Sequence, residues 1–499
     1  MLKPSLQEFQ KLAKKGTLIP ICREFLADLE TPVSLFLKLA KNKKQAFLLE
    51  SVEMNEKIGR YSFIGTNPYA TVEINKGTAT FRTSKKMVRK ALQKQDDVFQ
   101  FLRNIIHQFR YVPNPDLPSF TGGLVGYLGY EFVQYCDDIR ISNKAGYETP
   151  DCVLFLAQNV LIYDHLNHTI KLVYLANCMH QTPKIAYAQA IRFLKQMEQV
   201  IQKTSAPESP IPTVIDHRLR TNPISNLTKS SFEKYVSKIK SYIRAGDCIQ
   251  VVFSQRFKLG KVNDDFLIYR ALRSVNPSPY MFYFRHHDLR LVGSSPEMLV
   301  KKTGDIAETR PIAGTRPRGK TDFLDRQMEK NLRASKKELA EHLMLVDLGR
   351  NDLGRVCLPK SVKVTDFARV ERYSHVMHLV SDIQGKLPRG KDIFDLLKAS
   401  FPAGTVSGAP KIRAMQIIDE LEAERRGPYA GAVGYFSFTG DMDLCITIRT
   451  IVVRKGNAFV QAGAGIVNDS NPRKEFHETL NKAKALIRAV QIARLIQKK

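Results

Sequence analysis

The chain has 499 residues, of which 43% are hydrophobic and 25% are charged, a composition that can bury a large core. No run approaches the roughly 18 consecutive apolar residues of a membrane span, and Met1 to Lys15 lacks the apolar core of a secretion signal, so we expect a cytoplasmic protein without a membrane partner. A surplus of Lys and Arg gives a net charge of +28, yet these residues are dispersed and no aromatic residues interleave with them, which argues against a nucleic-acid partner.

The seven cysteines are scattered along the chain, and no two of them form a Cys-x-x-Cys pair. Zinc sites and disulfide frameworks both depend on characteristic cysteine spacings. We therefore expect reduced and mostly structural thiols.

The first predicted region, residues 1–202, mixes strands with a glycine-rich stretch at residues 122–127. Strand-like apolar runs occur at Ala46 to Val52, Val153 to Tyr163 and Thr169 to Leu175. The composition then changes at residues 203–226, which carry four prolines among Ser and Thr and show no helical or strand period. We interpret this segment as a linker to a second region, residues 227–499.

The second region opens with a predicted helix at Ser230 to Arg244, because a Ser230-x-x-Glu233 capping box leads into apolar residues at helical spacing. A strand is predicted next, at Cys248 to Phe257, and Gln250 projects from the face opposite its apolar neighbours. Shorter strands are predicted at Tyr280 to Phe284 and Glu297 to Lys301. Strands mixed with helices, without regular β-α-β alternation, favour an α+β fold with antiparallel sheets.

Two predicted helices each carry a pair of glutamates three residues apart. Ser335 caps the first helix, with Glu338 and Glu341, and Asn471-Pro472 opens the second, with Glu475 and Glu478. The spacing places each pair on one helix face. Two such charges about 4 Å apart repel by about 4 kcal/mol at an effective dielectric near 20, so converging pairs would need protons or a cation such as Mg²⁺. A solvated helix face is the alternative interpretation of either pair alone.

Two glycine-rich loops, residues 401–411 and 461–465, provide a second signal. Their backbone N–H groups can approach an anion, and Pro410-Lys411 is predicted to begin a helix whose N-terminus favours negative charge. Arg449, on a predicted strand from Cys445 to Val453, and Lys482 add positive charge. Together they indicate a small substrate with several carboxylates, although the loops could equally be tight turns.

As a set, these motifs resemble the chorismate-utilising enzymes, from about Asn226 to Ile487. The matching segments are Ile249-Gln250-Val251-Val252, Gly293-Ser294-Ser295-Pro296-Glu297, Pro311-Ile312-Ala313-Gly314-Thr315-Arg316, Glu341 to Leu348, Arg350-Asn351-Asp352 and Glu478 to Ala483. The resemblance implies an α+β fold with two large, mostly antiparallel β-sheets packed together, helices outside, and chorismate bound between the sheets.

Two positions bear on the reaction. Family members that add water to chorismate carry Lys at the position of Gln250, so the resemblance implies an amine-using enzyme here. Aminodeoxychorismate synthases commonly carry a covalent Lys at the position of Ala313. The chain is therefore similar to the large subunits of anthranilate synthases, which make anthranilate and pyruvate from chorismate and ammonia. An aminodeoxychorismate synthase without its lysine is the alternative.

The resemblance also implies roles for individual residues. Glu341 and Glu478 would bind Mg²⁺, with Glu338 and Glu475 behind them. The catalytic set would be Glu297 as general acid, His378 in proton transfer, Thr405 and Gln250. The substrate would contact Gly314, Thr315, Tyr429, Arg449, Gly463, Gly465 and Lys482.

A regulatory site and a partner complete the expectation. Segments around Glu50-Ser51 and Asn276 to Met281 resemble the site where tryptophan binds as feedback inhibitor. The residues implied there are Glu50, Ser51, Pro279, Tyr280, Met281, Tyr435, Asp443 and Cys445. No glutaminase motif is found, so ammonia would come from a glutamine amidotransferase subunit in a heterotetramer with two chains of each kind.

Overall fold

The structure is a computed structural model, and it describes residues 2–51, 59–204, 223–372 and 376–496. The α-helices are α1 (Leu6–Leu12), α2 (Pro32–Ala40), α3 (Asp96–His107), α4 (Pro183–Lys203), α5 (Lys229–Arg244), α6 (Asp265–Val275), α7 (Asp322–Ala334), α8 (Lys336–Gly354), α9 (Ile393–Ser400), α10 (Lys411–Leu421) and α11 (Pro472–Ile496). Short 3-10 helices lie at Tyr130–Tyr135 and Gly404–Val406.

The strands before the predicted linker are β1 (Leu2–Lys3), β2 (Leu18–Leu26), β3 (Gln45–Glu50), β4 (Tyr61–Thr66), β5 (Ala70–Asn75), β6 (Thr78–Thr83), β7 (Met87–Ala91), β8 (Gly123–Leu128), β9 (Cys152–Ala157), β10 (Asn159–Asp164) and β11 (Thr169–Asn177). The later strands are β12 (Ile224–Ser225), β13 (Gln250–Lys261), β14 (Tyr280–His286), β15 (Leu289–Ser295), β16 (Met298–Thr303), β17 (Ile306–Thr309), β18 (Ile312–Pro317), β19 (Lys363–Arg372), β20 (Val376–Lys386), β21 (Gly408–Ala409), β22 (Ala432–Ser437), β23 (Met442–Ile446), β24 (Thr450–Arg454) and β25 (Asn457–Ile466).

These strands form two large antiparallel sheets. The first has the order β1-β2-β11-β10-β4-β3-β14-β15-β24-β25-β13-β12, with β21 paired to β13. The second has the order β18-β20-β17-β16-β23-β22-β8-β9-β5-β6-β7, with β19 paired to β20. The α+β architecture with two antiparallel sheets is confirmed. Strands from before and after the predicted linker stand side by side in both sheets, β3 beside β14 and β8 beside β22.

The sheets pack face to face through an aromatic core. Phe155 of β9 stacks on Phe284 of β14 with ring centroids 4.5 Å apart, which joins the two sheets directly. Helices cover the outer faces: Leu272 of α6 and Leu486 of α11 are buried with the first sheet, and Phe394 of α9 with the second. Apolar faces of both sheets are thus removed from water on both sides, which is the main source of stability in such a layered fold.

Two predicted strands were wrong because the chain changes sheets within them. The run Val153 to Tyr163 divides at Gln158 into β9 and β10, which belong to different sheets. Likewise β23 ends at Ile446 and β24 begins at Thr450, so Arg449 lies in the connection, with φ of +50°. Only a few polar residues interrupt each run, and the strands on either side contribute side chains to one shared core, so the pattern does not reveal the change of sheet.

Other boundaries moved by a few residues. The cap of α5 is Thr228, whose side chain accepts from the Ser231 N–H at 3.1 Å, so the predicted capping box at Ser230 was wrong. The cap at Ser335 is confirmed, as is the start of α10 after Pro410. Most of the predicted linker, residues 205–222, and the end of the predicted strand at Val52 lie outside the described residues.

Two further properties concern the described residues as a whole. All seven cysteines fall within the described ranges, and each is a free thiol there. No helix among the described residues is long and apolar enough to cross a membrane.

Candidate active site

Glu297 occupies the short connection between β15 and β16, at the wall of a small cavity that Thr405 also lines. Its side chain is buried, and this burial raises the pKa of the carboxyl to about 8. The Thr405 hydroxyl and the positive charge of Lys482 offset part of that rise. Glu297 is thus protonated at neutral pH and can donate a proton.

The two glutamate pairs converge, one from α8 and one from α11. The pKa of Glu341 is raised first by burial and then by the charges of Glu338 and Glu478. Burial also raises the pKa of Glu475, and Glu478 adds to this effect. Two cations partly compensate: Lys482 pairs with Glu478 at 2.7 Å, and Arg316 pairs with Glu338 at 2.9 Å.

This donor set fits a hard divalent cation. Among the described residues, no three His, Cys, Asp or Glu side chains are arranged to hold a metal ion by themselves. Mg²⁺ is commonly held by only one or two carboxylates, with waters and substrate oxygens completing its shell. Glu341 and Glu478 can supply those carboxylates, and a cation between them would relieve the mutual repulsion.

The predicted carboxylate-binding residues lie next to this pair of helices. Lys482 donates to the Gly463 carbonyl at 3.0 Å, and Arg449 donates to the Lys482 carbonyl at 3.2 Å. Arg449 is half-buried, and desolvation lowers its pKa. A Cβ on Gly463 would lie 2.7 Å from the Tyr429 hydroxyl, so a side chain there would displace Tyr429.

Gln250 lies over the neighbouring glycine of β25. A Cβ on Gly465 would meet the Gln250 amide nitrogen at 2.3 Å. Gln250 is only 4% exposed, and its Oε1 atom is buried without a hydrogen-bond partner. A buried acceptor without a donor is costly, and an N–H-bearing reactant would supply the missing donor.

His378 lies on β20, where it is paired with Thr315 of the neighbouring strand β18. Its Nδ1 lies 2.9 Å from the Gly314 carbonyl and 3.1 Å from the Thr315 hydroxyl. Donation from Nδ1 to the carbonyl leaves Nε2 as the basic nitrogen. Burial lowers the pKa of His378, the Gly314 carbonyl partly opposes this, and the charge of Arg449 lowers it further, so the ring can act as a neutral base.

A buried ion pair beside the site was missed from the sequence. Arg426 and Glu422 have side chains only 1% and 7% exposed, and they pair at 2.7 Å. The signal was an acid and a base four residues apart, but they lie in the charged segment Glu420 to Arg426, where such a spacing usually indicates a surface pair. Its burial depends on elements distant in sequence.

A second, larger cavity of about 510 Å³ lies between the two sheets. All of the residues implied as an inhibitor site line it: Glu50, Ser51, Pro279, Tyr280, Met281, Tyr435, Asp443 and Cys445. Tyr435 stacks on Phe120 at 4.3 Å, and Tyr280 donates to Asp443 at 3.0 Å. The cavity therefore combines aromatic walls with a buried acid.

The polar groups that line this cavity differ in whether they are free to bind a ligand. The Ser51 hydroxyl is buried without a hydrogen-bond partner. The Glu50 carboxylate is already engaged, since it accepts from Tyr269 and pairs with Arg273 at 3.3 Å. Lys301 of β16 also lines the cavity and was not identified from the sequence. An aromatic ligand that carries both a carboxylate and an amino group would find a cation in Lys301 and a hydrogen-bond acceptor in Asp443.

Comparison with known proteins gives the family. Residues 44–488 match the family model of the chorismate binding enzymes. The chain is 45% identical over 498 residues to the anthranilate synthase component 1 of Acetivibrio thermocellus, covering 99% of both. It is 47% identical over 497 residues to that of Aquifex aeolicus, covering 99% of this chain and 98% of the relative. The crystal structure of anthranilate synthase component I from Streptococcus pneumoniae TIGR4 matches with a TM-score of 0.75 and 35% identity, covering 93% and 99% of the two chains. The chain belongs to the anthranilate synthase component 1 family of the chorismate binding enzymes.

Proposed function

We propose that this protein converts chorismate and ammonia to anthranilate and pyruvate, the first committed step of tryptophan synthesis, in a Mg²⁺-dependent reaction. The names of its relatives support the substrate and product. The observation that carries the chemistry is Glu297, a carboxyl kept protonated near neutral pH beside the converging glutamates and cations.

In the first half of the reaction, Glu297 donates its proton to the ring hydroxyl of chorismate, which leaves as water. The lone pair of ammonia forms the new C–N bond while the ring double bonds shift, and the ammonium group so formed loses one proton to solvent to give the amine. Lys482 and Arg449 hold the carboxylates of the substrate, and the Gln250 Oε1 accepts from the attacking amine. General acid catalysis of this kind contributes about 10²–10⁴-fold to a rate.

In the second half, the ring loses a proton and the C–O bond to the enolpyruvyl group breaks. His378 takes up that proton through Nε2, because Nδ1 is held by the Gly314 carbonyl. The departing enolpyruvate takes up a proton to become pyruvate. Thr315 and Gly314 hold the imidazole at the ring.

Mg²⁺, when bound, would neutralise the ring carboxylate and stabilise charge that develops on it. Glu341 and Glu478 would hold the ion, and Glu338 and Glu475 would lie behind them. Glu338 is suited to that supporting role because Arg316 already pairs with it.

We also propose that the large cavity between the sheets binds L-tryptophan as a feedback inhibitor. Its aromatic walls at Tyr435 and Phe63 suit an indole ring, while Lys301 and Asp443 suit the carboxylate and amino groups. The ammonia would come from a glutamine amidotransferase subunit, in a heterotetramer of two chains of each kind; the component 1 names of the relatives support a second component.

The deciding experiment incubates the purified chain with chorismate, Mg²⁺ and excess ammonium salt. Anthranilate fluorescence, dependent on Mg²⁺ and absent with ammonium omitted, is the expected result. Accumulation of the 4-amino isomer would instead favour aminodeoxychorismate synthesis, the alternative that the small side chain of Ala313 argues against.

A further inference from the structure

The buried pair of Arg426 and Glu422 lies beside the proposed active site without belonging to its substrate contacts. Arg426 is one of the largest fully buried side chains of the described chain. Its Nε donates to Glu422 Oε2 at 2.8 Å and its Nη2 to Glu422 Oε1 at 2.7 Å, a bidentate arrangement. The other contacts of this buried charge pair indicate its function.

The remaining donors of Arg426 reach two separate backbone segments of the site. Nη1 donates to the Val406 carbonyl at 2.8 Å, directly after Thr405 in the loop beside Glu297. Nη2 donates to the Val252 carbonyl at 2.7 Å. Val252 lies two residues beyond Gln250 on β13 and is registered with Gly465 of β25. One guanidinium therefore connects the Thr405 loop to the strand that carries Gln250.

Glu422 extends the same network to the second glycine of β25. Its Oε1 accepts from the Ser254 N–H at 2.9 Å and from the Ser254 hydroxyl at 2.8 Å. Ser254 is registered with Gly463, and its hydroxyl also accepts from Gln461 at 2.8 Å. The two glycines of β25 implied in substrate binding, Gly463 and Gly465, thus lie opposite residues that this ion pair holds.

The guanidinium also contacts the proposed substrate-binding tyrosine. It lies 5.5 Å from the centre of the Tyr429 ring and 4.7 Å from that of Tyr130, both within cation–π range. Tyr429 follows Arg426 by only three residues, so the contact orients the chain that carries it.

Stability alone does not explain this arrangement. Well-packed apolar residues of similar size often stabilise a core as well as a buried ion pair does, whereas directional bonds define geometry. We propose that Arg426, together with Glu422, is a positioning residue for the reaction, holding Thr405, Gln250 and Tyr429 in register around the substrate. This inference rests on the proposed function, because that function defines these three residues as the reacting surroundings.

Arg426→Lys is the sharpest test, because lysine keeps the charge but lacks the planar fork that reaches Glu422 and both carbonyls at once. We expect kcat to fall by about 10²-fold, as for other small displacements of reacting groups. The KM for chorismate should rise less than kcat falls, because Arg426 touches Tyr429 among the proposed substrate contacts but does not hydrogen-bond to Lys482 or Arg449, which hold the substrate carboxylates. Thermal unfolding and circular dichroism measure whether the variant is folded.

Arg425→Met is the matched control, since the neighbouring Arg425 pairs with Asp151 and Glu131 and not with the site loops. It should lose stability while kcat per folded molecule stays near that of the parent. Ser254→Ala, which removes only one hydroxyl from the network, provides a milder variant and should lower kcat in the same direction as Arg426→Lys.

The proposal is overturned if Arg426→Lys or Ser254→Ala is folded and keeps the parent kcat. It is equally overturned if kcat falls no further in Arg426→Lys than in Arg425→Met at equal loss of stability. Chorismate consumption is followed alongside anthranilate formation. A parent protein that consumes chorismate to another product would contradict the proposed function, whereas the comparison among variants would still test the role of Arg426.

Discussion

Pro296 and Glu297 are consecutive residues, yet they line different cavities. Pro296 lines the large cavity between the sheets, and Glu297 lines the small one next to Thr405. The paired strand repeats the alternation, with Cys445 at the large cavity and Ile446 at the small one. The proposed inhibitor and the proposed general acid are therefore separated by a single layer of sheet.

Glu297→Gln tests the general acid. The amide preserves the shape of the side chain but cannot give its proton to the leaving hydroxyl, so we expect kcat to fall by about 10²–10⁴-fold. Anthranilate formation under saturating chorismate, Mg²⁺ and ammonium measures this. A variant that retains parental kcat would remove Glu297 from the chemistry.

The pH dependence follows from the same carboxyl, whose pKa is about 8 in the folded protein. Activity through a protonated Glu297 is lost as the carboxyl ionises, so kcat/KM should fall as pH rises through about 8. A fall in kcat/KM that begins well below pH 8 would contradict the role of Glu297 as the general acid.

Stability provides an independent check with a defined sign. The pKa of Glu297 rises from its ordinary 4.5 to about 8 on folding, so the unfolded chain ionises first as pH increases. As the pH rises from 4.5 to about 8, the free energy of unfolding of the parent should therefore fall relative to that of Glu297→Gln. Above about pH 8 the difference between the two proteins should stay constant. Urea unfolding of both proteins across this range measures the difference.

Thr405→Val tests the contact beside Glu297. The Thr405 hydroxyl is buried and has no hydrogen-bond partner of good geometry, and its proximity to the Glu297 carboxyl opposes the effect of burial on that pKa. Its loss should move the alkaline limb of kcat/KM to higher pH, while valine keeps the shape of the side chain. Ser407→Ala, which alters the same loop at a hydroxyl bonded to the Ala403 carbonyl, is the control and should leave the limb in place.

Glu341→Gln tests the metal site. Without Mg²⁺ the variant should be more stable than the parent at neutral pH, because a buried carboxylate facing Glu338 and Glu478 is removed. Added Mg²⁺ should raise the melting temperature of the parent and not that of the variant. Glu420→Gln, at an exposed ion pair with Lys238, is the control and should respond to Mg²⁺ like the parent.

Ser51→Phe tests the large cavity. The aromatic ring would occupy the space beside Tyr280 and Met281, so the inhibition constant for tryptophan should rise at least about tenfold, equivalent to about 1.4 kcal/mol. The kcat without tryptophan should stay near the parent value. Ser241→Phe, on an exposed position of α5, should leave inhibition unchanged; parental inhibition in Ser51→Phe would place the inhibitor elsewhere.

Local sequence determined the helices that carry the glutamates. Ser335 caps α8, and Glu338 and Glu341 follow at the spacing that puts them on one face. This could be inferred because caps and helical periodicity involve residues within a few positions of one another. The family resemblance then supplied the expected pairing of α8 with α11.

Tertiary structure alone decided the environments of the site residues. The raised pKa of Glu297, the unpaired Oε1 of Gln250 and the burial of Arg426 all depend on strands far apart in sequence. The sequence pattern also did not reveal that β23 and β24, which flank Arg449, belong to different sheets. Both strands contribute apolar side chains to one shared core. Periodicity records which face of an element is apolar, whereas desolvation and hydrogen bonding depend on what packs against that face.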